Sequence, residues 1–315
     1  MLLIKEFLDR LPMVSVITRP GGWGKTEAMD IFRMFFEISD KETSSYFRDN
    51  GIWKCEGDYR KYQGQYPIIF LSFQDVKGDS WESVLQKLMW VIQEEYQRHE
   101  KSLKSDISNA NEVALAATIR NLTEMLANDY GKAPIVMIDD YDVPIISSAL
   151  IGCYEHAAQF FGRLLSEGLK DNPCLSYGIL TGVLPMPKEI ASNGFNNFVS
   201  YSILDDAYQE FFQQTKACDG ISPKDFMMVR LIQKLVDDDF RSWLDPLLNG
   251  EDTMIWIRPG RQDIYLLMIH AGYLAITKKL LLADGSLLCD VSLQNQKVVA
   301  MLQEGRMRGC ILKSQ

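Results

Sequence analysis

The chain has 315 residues, of which 47% are hydrophobic and 24% are charged, and its formal net charge is −9. This composition is typical of a globular protein with a large core and about two domains. The negative charge disfavours extensive, salt-driven binding to nucleic acid. The cysteines form no Cys-x-x-Cys pair and the histidines are scattered. We therefore expect free thiols in a reducing, cytoplasmic compartment and no metal cluster built from these residues.

The amino-terminal segment, MLLIKEFLDRL, interrupts its apolar residues with charged ones. This pattern predicts an amphipathic helix and not a signal peptide. A membrane-spanning helix requires about 18 or more apolar residues in succession, and no segment approaches that length. We expect no membrane association.

Strand and helix patterns alternate over the first two thirds of the chain. The five predicted strands lie in MVSVIT, YPIIFLSF, the first part of PIVMIDDYD, CLSYGILTGV and NFVSYSIL. Helices are predicted after the first strand, over 81–92 and 113–127, and in HAAQFFGRLLSEGL. Such alternation predicts an α/β fold with a parallel sheet and a site at the carboxyl ends of its strands.

Beyond residue 204 the pattern changes to helices, in FMMVRLIQKLVDDDFRSWLDPLL and IYLLMIHAGYLAI. The sequence contains no low-complexity linker and no internal repeat. We therefore predict two regions, an α/β domain over 1–204 and a smaller, mainly helical region over 205–315.

The first strand runs directly into a glycine-rich turn that ends in Gly-Lys-Thr. Its residues are Arg19, Pro20, Gly21, Gly22, Trp23, Gly24, Lys25 and Thr26. In the phosphate-binding pattern G-x-x-x-x-G-K-[ST], backbone N–H groups cradle phosphates, the lysine reaches the β- and γ-phosphates, and the hydroxyl binds Mg²⁺. Arg19 occupies the position of the first glycine. The alternative is a plain strand-to-helix turn with an accidental Gly-Lys-Thr.

A second motif favours the nucleotide interpretation. IVMIDDYD is an apolar strand that ends in two acids, the form of a Walker B strand. Asp139 is expected to hold Mg²⁺, and Asp140 stands where a catalytic base can polarise the attacking water. The alternative is a strand that ends in two acids beside a solvent-facing loop, which is common for this motif alone. It is less common when a phosphate loop precedes the acids in this order.

The strand in YPIIFLSF lies between the loop strand and the acidic strand. This spacing is similar to that of AAA-type ATPases, in which the strand after the acidic one returns beside the loop strand. We therefore predict a five-stranded parallel sheet in the order fifth, first, fourth, third, second. The fourth strand ends at Thr181, a polar residue suited to sensing the γ-phosphate or its water.

The motifs together resemble those of the AAA-ATPase-like proteins. ITRPGGWGKTEAMDIFRMFFE is similar to a family loop that often reads Arg-Pro-Arg-Arg-Phe-Gly-Lys-Ser, so Arg19 fits the family pattern. VMIDDYDVPI, ILTGVLPMPKEIASNGFNNFVSYSI and LLMIHAGYLAI with LQNQKVV resemble three further family stretches, the last around a Gly-Tyr-Leu strand. The resemblance implies ATP and Mg²⁺ as cofactors and phosphoanhydride hydrolysis as the reaction.

The departures from the family matter as much. Asp140 replaces the family glutamate, and Gly21 and Gly22 replace two bulky cations. Many relatives continue into a PD-(D/E)XK nuclease-like domain that this sequence does not contain, so we expect no nuclease chemistry. Two functions stay open: a slow ATPase or nucleotide switch, and a hydrolysis-deficient nucleotide-binding or protein-interaction module. A nucleotide is the expected ligand, and a protein partner and an oligomer stay open.

Overall fold

The computed structural model describes residues 2–39, 43–48, 51–99, 107, 110–208, 227–228, 230–232, 247, 253–257 and 264–294. The chain divides into two compact units, Met1–Lys216 and Ala217–Gln315. The boundary predicted after residue 204 lies shortly before this division. In the part of the chain described, no helix combines the length and the apolar character needed to cross a membrane.

The first unit is built on one parallel sheet. Its strands are β1 (Val14–Thr18), β2 (Ile68–Ser72), β3 (Ile135–Asp139), β4 (Tyr177–Gly182) and β5 (Val199–Tyr201). The sheet order is β2-β3-β4-β1-β5, and every pairing is parallel. The predicted order is confirmed.

Helices surround this sheet. They are α1 (Leu2–Arg10), α2 (Lys25–Phe36), α3 (Ser45–Arg48), α4 (Gly51–Lys54), α5 (Trp81–Arg98), α6 (Glu112–Ala116), α7 (Thr118–Tyr130), α8 (Val143–Leu150), α9 (Tyr154–Leu169) and α10 (Lys188–Ser192), with a short 3₁₀ helix over Tyr59–Tyr62. The single helix predicted over 113–127 is wrong in one respect, because the chain forms two helices that meet at Ala117.

Both faces of the sheet are covered, which explains the continuous apolar runs of its strands. Along β1, Val14 and Val16 pack into one hydrophobic cluster with α5, α7 and α9, whereas Ile17 packs into a second cluster with α1 and α2. The side chains alternate between these clusters because successive strand residues point to opposite faces. The two cores fix the positions of the strand ends.

β2 is an edge strand of the sheet, and side chains at the end of α5 form hydrogen bonds with its backbone. The buried carboxylate of Glu95 accepts a 2.8 Å hydrogen bond from the N–H of Phe70. Arg98 and His99 bind the carbonyl of Ile68, His99 at 3.1 Å. Backbone groups at a sheet edge otherwise invite pairing with another chain, so these side chains occupy that edge.

The described part of the second unit contains helical residues and an antiparallel sheet. The elements are β6 (Thr253–Ile257), α11 (Ile264–His270), β7 (Leu274–Leu281) and β8 (Leu287–Leu293), and the sheet order is β6-β8-β7. The helix predicted through IYLLMIHAGYLAI is correct only as far as His270. Gly272 adopts φ 77°, a left-handed conformation that ends the helix, and the Gly-Tyr-Leu stretch leads into β7.

The hairpin between β7 and β8 was not predicted from the sequence. Its turn contains Asp284 and Gly285, with φ 79° at the glycine and a 2.8 Å bond from Leu282 N–H to the Ser286 carbonyl. Asp-Gly is a strong hairpin signal, but the region over 205–315 was predicted to be mainly helical from two other stretches. The other predicted helix, over 226–248, lies almost wholly outside the described residues.

Candidate nucleotide site

The carboxyl ends of β3, β4 and β1 are neighbours in the sheet. Ile138 is aligned with Leu180 between β3 and β4, and Thr18 with Gly182 between β1 and β4. In a parallel sheet, ligands bind outside these strand ends. The glycine-rich turn, the two acids and Thr181 therefore meet at one edge.

The glycine-rich turn connects β1 to the amino terminus of α2. Gly22 and Gly24 both adopt φ 74°, the left-handed region that glycine enters without a steric penalty. Gly24 is the residue before the first turn of α2, and its carbonyl accepts a 2.9 Å bond from Ala28 N–H. Gly21 and Gly22 are exposed, whereas Trp23 packs against the second core cluster. The turn presents the amino terminus of a helix at the site, a favourable environment for phosphate.

The side chain of Lys25 folds back across the turn. Its ammonium group donates bonds of 2.9 Å to the carbonyls of Arg19 and Pro20. The residue is buried, with 6% of its surface exposed. The carbonyls of the turn thus hold a cation inside it, where a phosphate group would compete for the same ammonium.

Arg19, at the first-glycine position, is almost completely buried. Its guanidinium donates to the carbonyls of Thr18 at 2.8 Å, Tyr201 at 2.9 Å and Ala207 at 2.7 Å. Burial lowers the pKa of Arg19 to about 10, against the opposing charges of Asp205 and Glu6. The side chain therefore ties the start of the turn to β5 and to the segment after it, while its main-chain carbonyl faces Lys25.

Asp139, the last residue of β3, joins the two predicted motifs. Its Oδ2 accepts a 2.8 Å hydrogen bond from the hydroxyl of Thr26, and its Oδ1 accepts a hydrogen bond from the hydroxyl of Thr181. Burial raises the pKa of Asp139, and the charge of Asp140 adds to this shift, whereas the two hydroxyls and Lys25 oppose it. The structure brings these predicted residues into direct contact.

Asp140 turns the chain away from the sheet. It is buried and adopts φ 58°, which is uncommon for a residue other than glycine, although aspartate and asparagine are enriched there. Backbone strain of this kind clusters at functional sites. Its carboxylate contributes to raising the pKa of both Asp139 and Asp142, so it lies within the same electrostatic environment.

The donor atoms present fit a hard divalent cation. Mg²⁺ is bound by oxygen ligands, usually one or two carboxylates with the oxygens of the substrate phosphates and water. The hydroxyl of Thr26 and the Oδ2 of Asp139 are 2.8 Å apart, so both can reach one ion. The described residues contain no group of three or more His, Cys, Asp or Glu side chains that would bind a metal without help from a substrate.

A family model described as predicted AAA-ATPase matches residues 2–191. The chain belongs to this family. The matched region begins with α1, contains the glycine-rich turn, Asp139 and Thr181, and ends within α10. Among curated proteins, none matches the chain. Membership identifies a predicted AAA-ATPase-like, nucleotide-binding protein.

Sequence reasoning missed one residue of this AAA-ATPase-like site. Asp142 is buried, and its Oδ2 accepts 2.8 Å hydrogen bonds from the N–H groups of Val183 and Leu184, just beyond β4. The preceding residue, Tyr141, binds the same segment through its N–H to the Thr181 carbonyl at 3.0 Å and through its hydroxyl to the Leu184 carbonyl. The sequence feature that could have indicated this role is the second aspartate of Asp-Tyr-Asp, directly before the apolar stretch VPII.

Proposed function

We propose that this protein binds ATP with Mg²⁺ at the carboxyl edge of its parallel sheet and hydrolyses it slowly, as a nucleotide switch. The observation that carries the proposal is the contact of Asp139 with both Thr26 and Thr181. Three chain segments far apart in sequence supply these side chains beside a glycine-rich turn. Such convergence of phosphate loop, acid and polar sensor is what phosphoryl chemistry requires.

The turn and the start of α2 supply the phosphate-binding groups. Backbone N–H groups of the loop would donate to the phosphates, and the amino terminus of α2 favours their negative charge. Lys25 exchanges its bonds to the Arg19 and Pro20 carbonyls for bonds to the β- and γ-phosphates. The carbonyls keep the ammonium inside the turn until a phosphate competes for it.

Thr26 and Asp139 are the proposed residues that hold Mg²⁺. When bound, the cation neutralises charge on the β- and γ-phosphates. Thr26 is exposed while Asp139 is buried, and the Thr26 hydroxyl donates to the carboxylate of Asp139. Thr181 fixes the other carboxylate oxygen and thereby orients the group.

Asp140 is the proposed residue that polarises the attacking water. A general base must lie within about 2.6–3.2 Å of the proton that it accepts, directly or through one water. Aspartate reaches less far than the glutamate of the family, by one methylene group. The shorter reach of aspartate also favours the second candidate, a nucleotide-binding module without turnover. Asp140 is therefore the residue whose substitution distinguishes the two functions.

Binding and phosphate release by the purified full-length protein test the proposal together. We expect saturable ATP binding in the presence of Mg²⁺ and slow release of phosphate. Binding without release supports the second candidate. The absence of both, in folded protein at millimolar ATP, contradicts the proposal.

A further inference from the structure

The ends of β3 and β4 are joined by a side chain where the strand ladder stops. The pairing continues to the bond from Tyr141 N–H to the Thr181 carbonyl at 3.0 Å. The left-handed turn at Asp140, one residue before Tyr141, directs the chain towards α8. Beyond that point the carboxylate of Asp142 accepts the N–H groups of Val183 and Leu184, both at 2.8 Å on Oδ2. A side-chain oxygen thus replaces the main-chain acceptor that a longer β3 would offer.

The fit around this carboxylate is tight. A Cβ on Gly182 would lie 2.9 Å from Asp142 Oδ1 and 2.7 Å from the ring of Tyr141. Only glycine therefore leaves room for the carboxylate at the end of β4. Asp142 Oδ1 is buried without a hydrogen-bond partner, an arrangement that costs free energy. The two hydrogen bonds on Oδ2 therefore have to offset the burial of a half-satisfied carboxylate.

The segment that Asp142 holds contacts both halves of the proposed site. Thr181, one residue before Gly182, donates to Asp139 Oδ1. The carbonyl of Gly182 accepts a 3.0 Å bond from the N–H of Arg19, at the start of the glycine-rich turn. A shift of the end of β4 would therefore move the Thr181 hydroxyl away from Asp139 and disturb the beginning of the turn.

We propose that Asp142 is a positioning residue, which holds the end of β4 so that Thr181 and Asp139 keep their arrangement beside the phosphate loop. The inference rests on the proposed binding of ATP and Mg²⁺. The hydrogen bonds of Asp142 go to the main chain of Val183 and Leu184, and we assign it no contact with the nucleotide or the cation. Its loss should reduce what Mg²⁺ adds to ATP affinity and leave the metal-independent part of ATP affinity largely intact.

The test compares Asp142→Ala, which removes the acceptor, with Asp142→Asn, which keeps an oxygen acceptor and removes the charge. Amide hydrogen exchange at Val183 and Leu184 is measured in the full-length protein without ligand. Leaving these two N–H groups without their acceptor should speed their exchange by about tenfold or more in Asp142→Ala. In Asp142→Asn the exchange should stay within about threefold of the wild type, because the oxygen still accepts both bonds.

Calorimetric titrations with ATP, in Mg²⁺ and in EDTA, give the second measurement. For Asp142→Ala we expect the gain in affinity from Mg²⁺ to fall by about tenfold or more, while affinity in EDTA changes by less than about threefold. Asp142→Asn should retain most of the Mg²⁺ gain. Leu122→Ala, a buried change on α7, controls for general destabilisation. Should Asp142→Ala not fold, Gly182→Ala tests the same point, because its Cβ must displace Asp142 or Tyr141.

The outcomes separate the inference from the proposed function. Unchanged exchange at Val183 and Leu184 in Asp142→Ala overturns the inference, whether or not ATP binds. An equal loss of the Mg²⁺ gain in Leu122→Ala also overturns it, since the effect would then be one of stability. Failure of the wild type to bind ATP overturns the proposed function and the role at the metal site. In that case the exchange comparison still decides whether Asp142 holds the strand end.

Discussion

The hydroxyl of Thr26 lies 2.8 Å from Oδ2 of Asp139, a residue 113 positions further along the chain. The bond joins the first turn of α2 to the end of β3. It exists because β4 alone separates β3 from β1 in the sheet and because α2 begins at the carboxyl edge. The glycine-rich turn and the acidic strand therefore form one site.

Asp139→Asn should weaken Mg²⁺-dependent ATP binding by at least about tenfold, because the amide is a poor ligand for a hard cation. Calorimetry in Mg²⁺ and in EDTA measures this, with affinity in EDTA expected to change little. The melting temperature should not fall, since burial raises the pKa of Asp139 and the substitution removes a buried charge. Equal losses in both buffers would instead indicate a disrupted loop.

Asp140→Glu should raise the rate of phosphate release, because the longer side chain reaches a water that aspartate holds poorly. Groups that polarise or transfer a proton contribute factors of about 10²–10⁴ in rate, so an increase of tenfold or more is expected. ATP affinity should stay nearly unchanged. A fast wild-type turnover that falls on this substitution would show that the aspartate is already well placed.

Arg19→Met should destabilise the first unit by about 3 kcal/mol, because three buried carbonyls lose a charged donor. Arg19→Lys should recover only part of this, since one ammonium cannot replace a planar guanidinium that spans carbonyls from two separate segments. Urea unfolding measures both. If neither variant is less stable than the wild type, the bonds to Thr18, Tyr201 and Ala207 do not support the turn.

Glu95→Gln should reduce stability at pH 7, and the difference from the wild type should vanish in acid. Burial raises the pKa of Glu95, but Arg98, His99 and the Phe70 N–H more than offset this, and the pKa is lowered overall. A lowered pKa in the folded state adds stability above the unfolded value of about 4.3, and this stability is lost as pH falls through the folded value. Unfolding curves from pH 7 to pH 3 test this.

The exposed neighbour Glu94 provides the matched control. Glu94→Gln should change stability by less than about 0.5 kcal/mol at every pH, as is usual for surface sites. If both variants behave alike, the contacts of Glu95 with the edge of β2 contribute nothing specific.

Much of the fold followed from local sequence patterns. Apolar runs predicted β1 to β4 because both faces of the sheet are covered there, whereas Val199 and Ser200 of β5 are exposed. The sheet order was predicted from the resemblance of the motif spacing to that of AAA-type ATPases. The contacts of Asp139 with Thr26 and Thr181 also follow from that order, since strand ends in a parallel sheet share one edge. These features depend on the pattern of apolar residues and on which strands are neighbours in the sheet.

Other features depend on contacts that no local pattern encodes. Besides the neighbouring Thr18, the carbonyls that bind Arg19 include those of residues 201 and 207, and the N–H groups that bind Asp142 belong to residues 183 and 184. Main-chain groups have no side-chain signature, so sequence reasoning assigned Arg19 to the ligand and gave Asp142 no role. The end of α11 was missed for a different reason, because a single glycine converts one apolar stretch into a helix and a strand.

Titration of the folded full-length protein with ATP in the presence of Mg²⁺, alongside Lys25→Ala and the exposed control Lys87→Ala, tests the central claim most directly. We predict saturable binding by the wild type and by Lys87→Ala, and a loss of about tenfold or more in affinity for Lys25→Ala, which removes a charged contact with the phosphates. Absence of binding by folded wild-type protein at millimolar ATP, or equal affinity in all three proteins, would contradict the account.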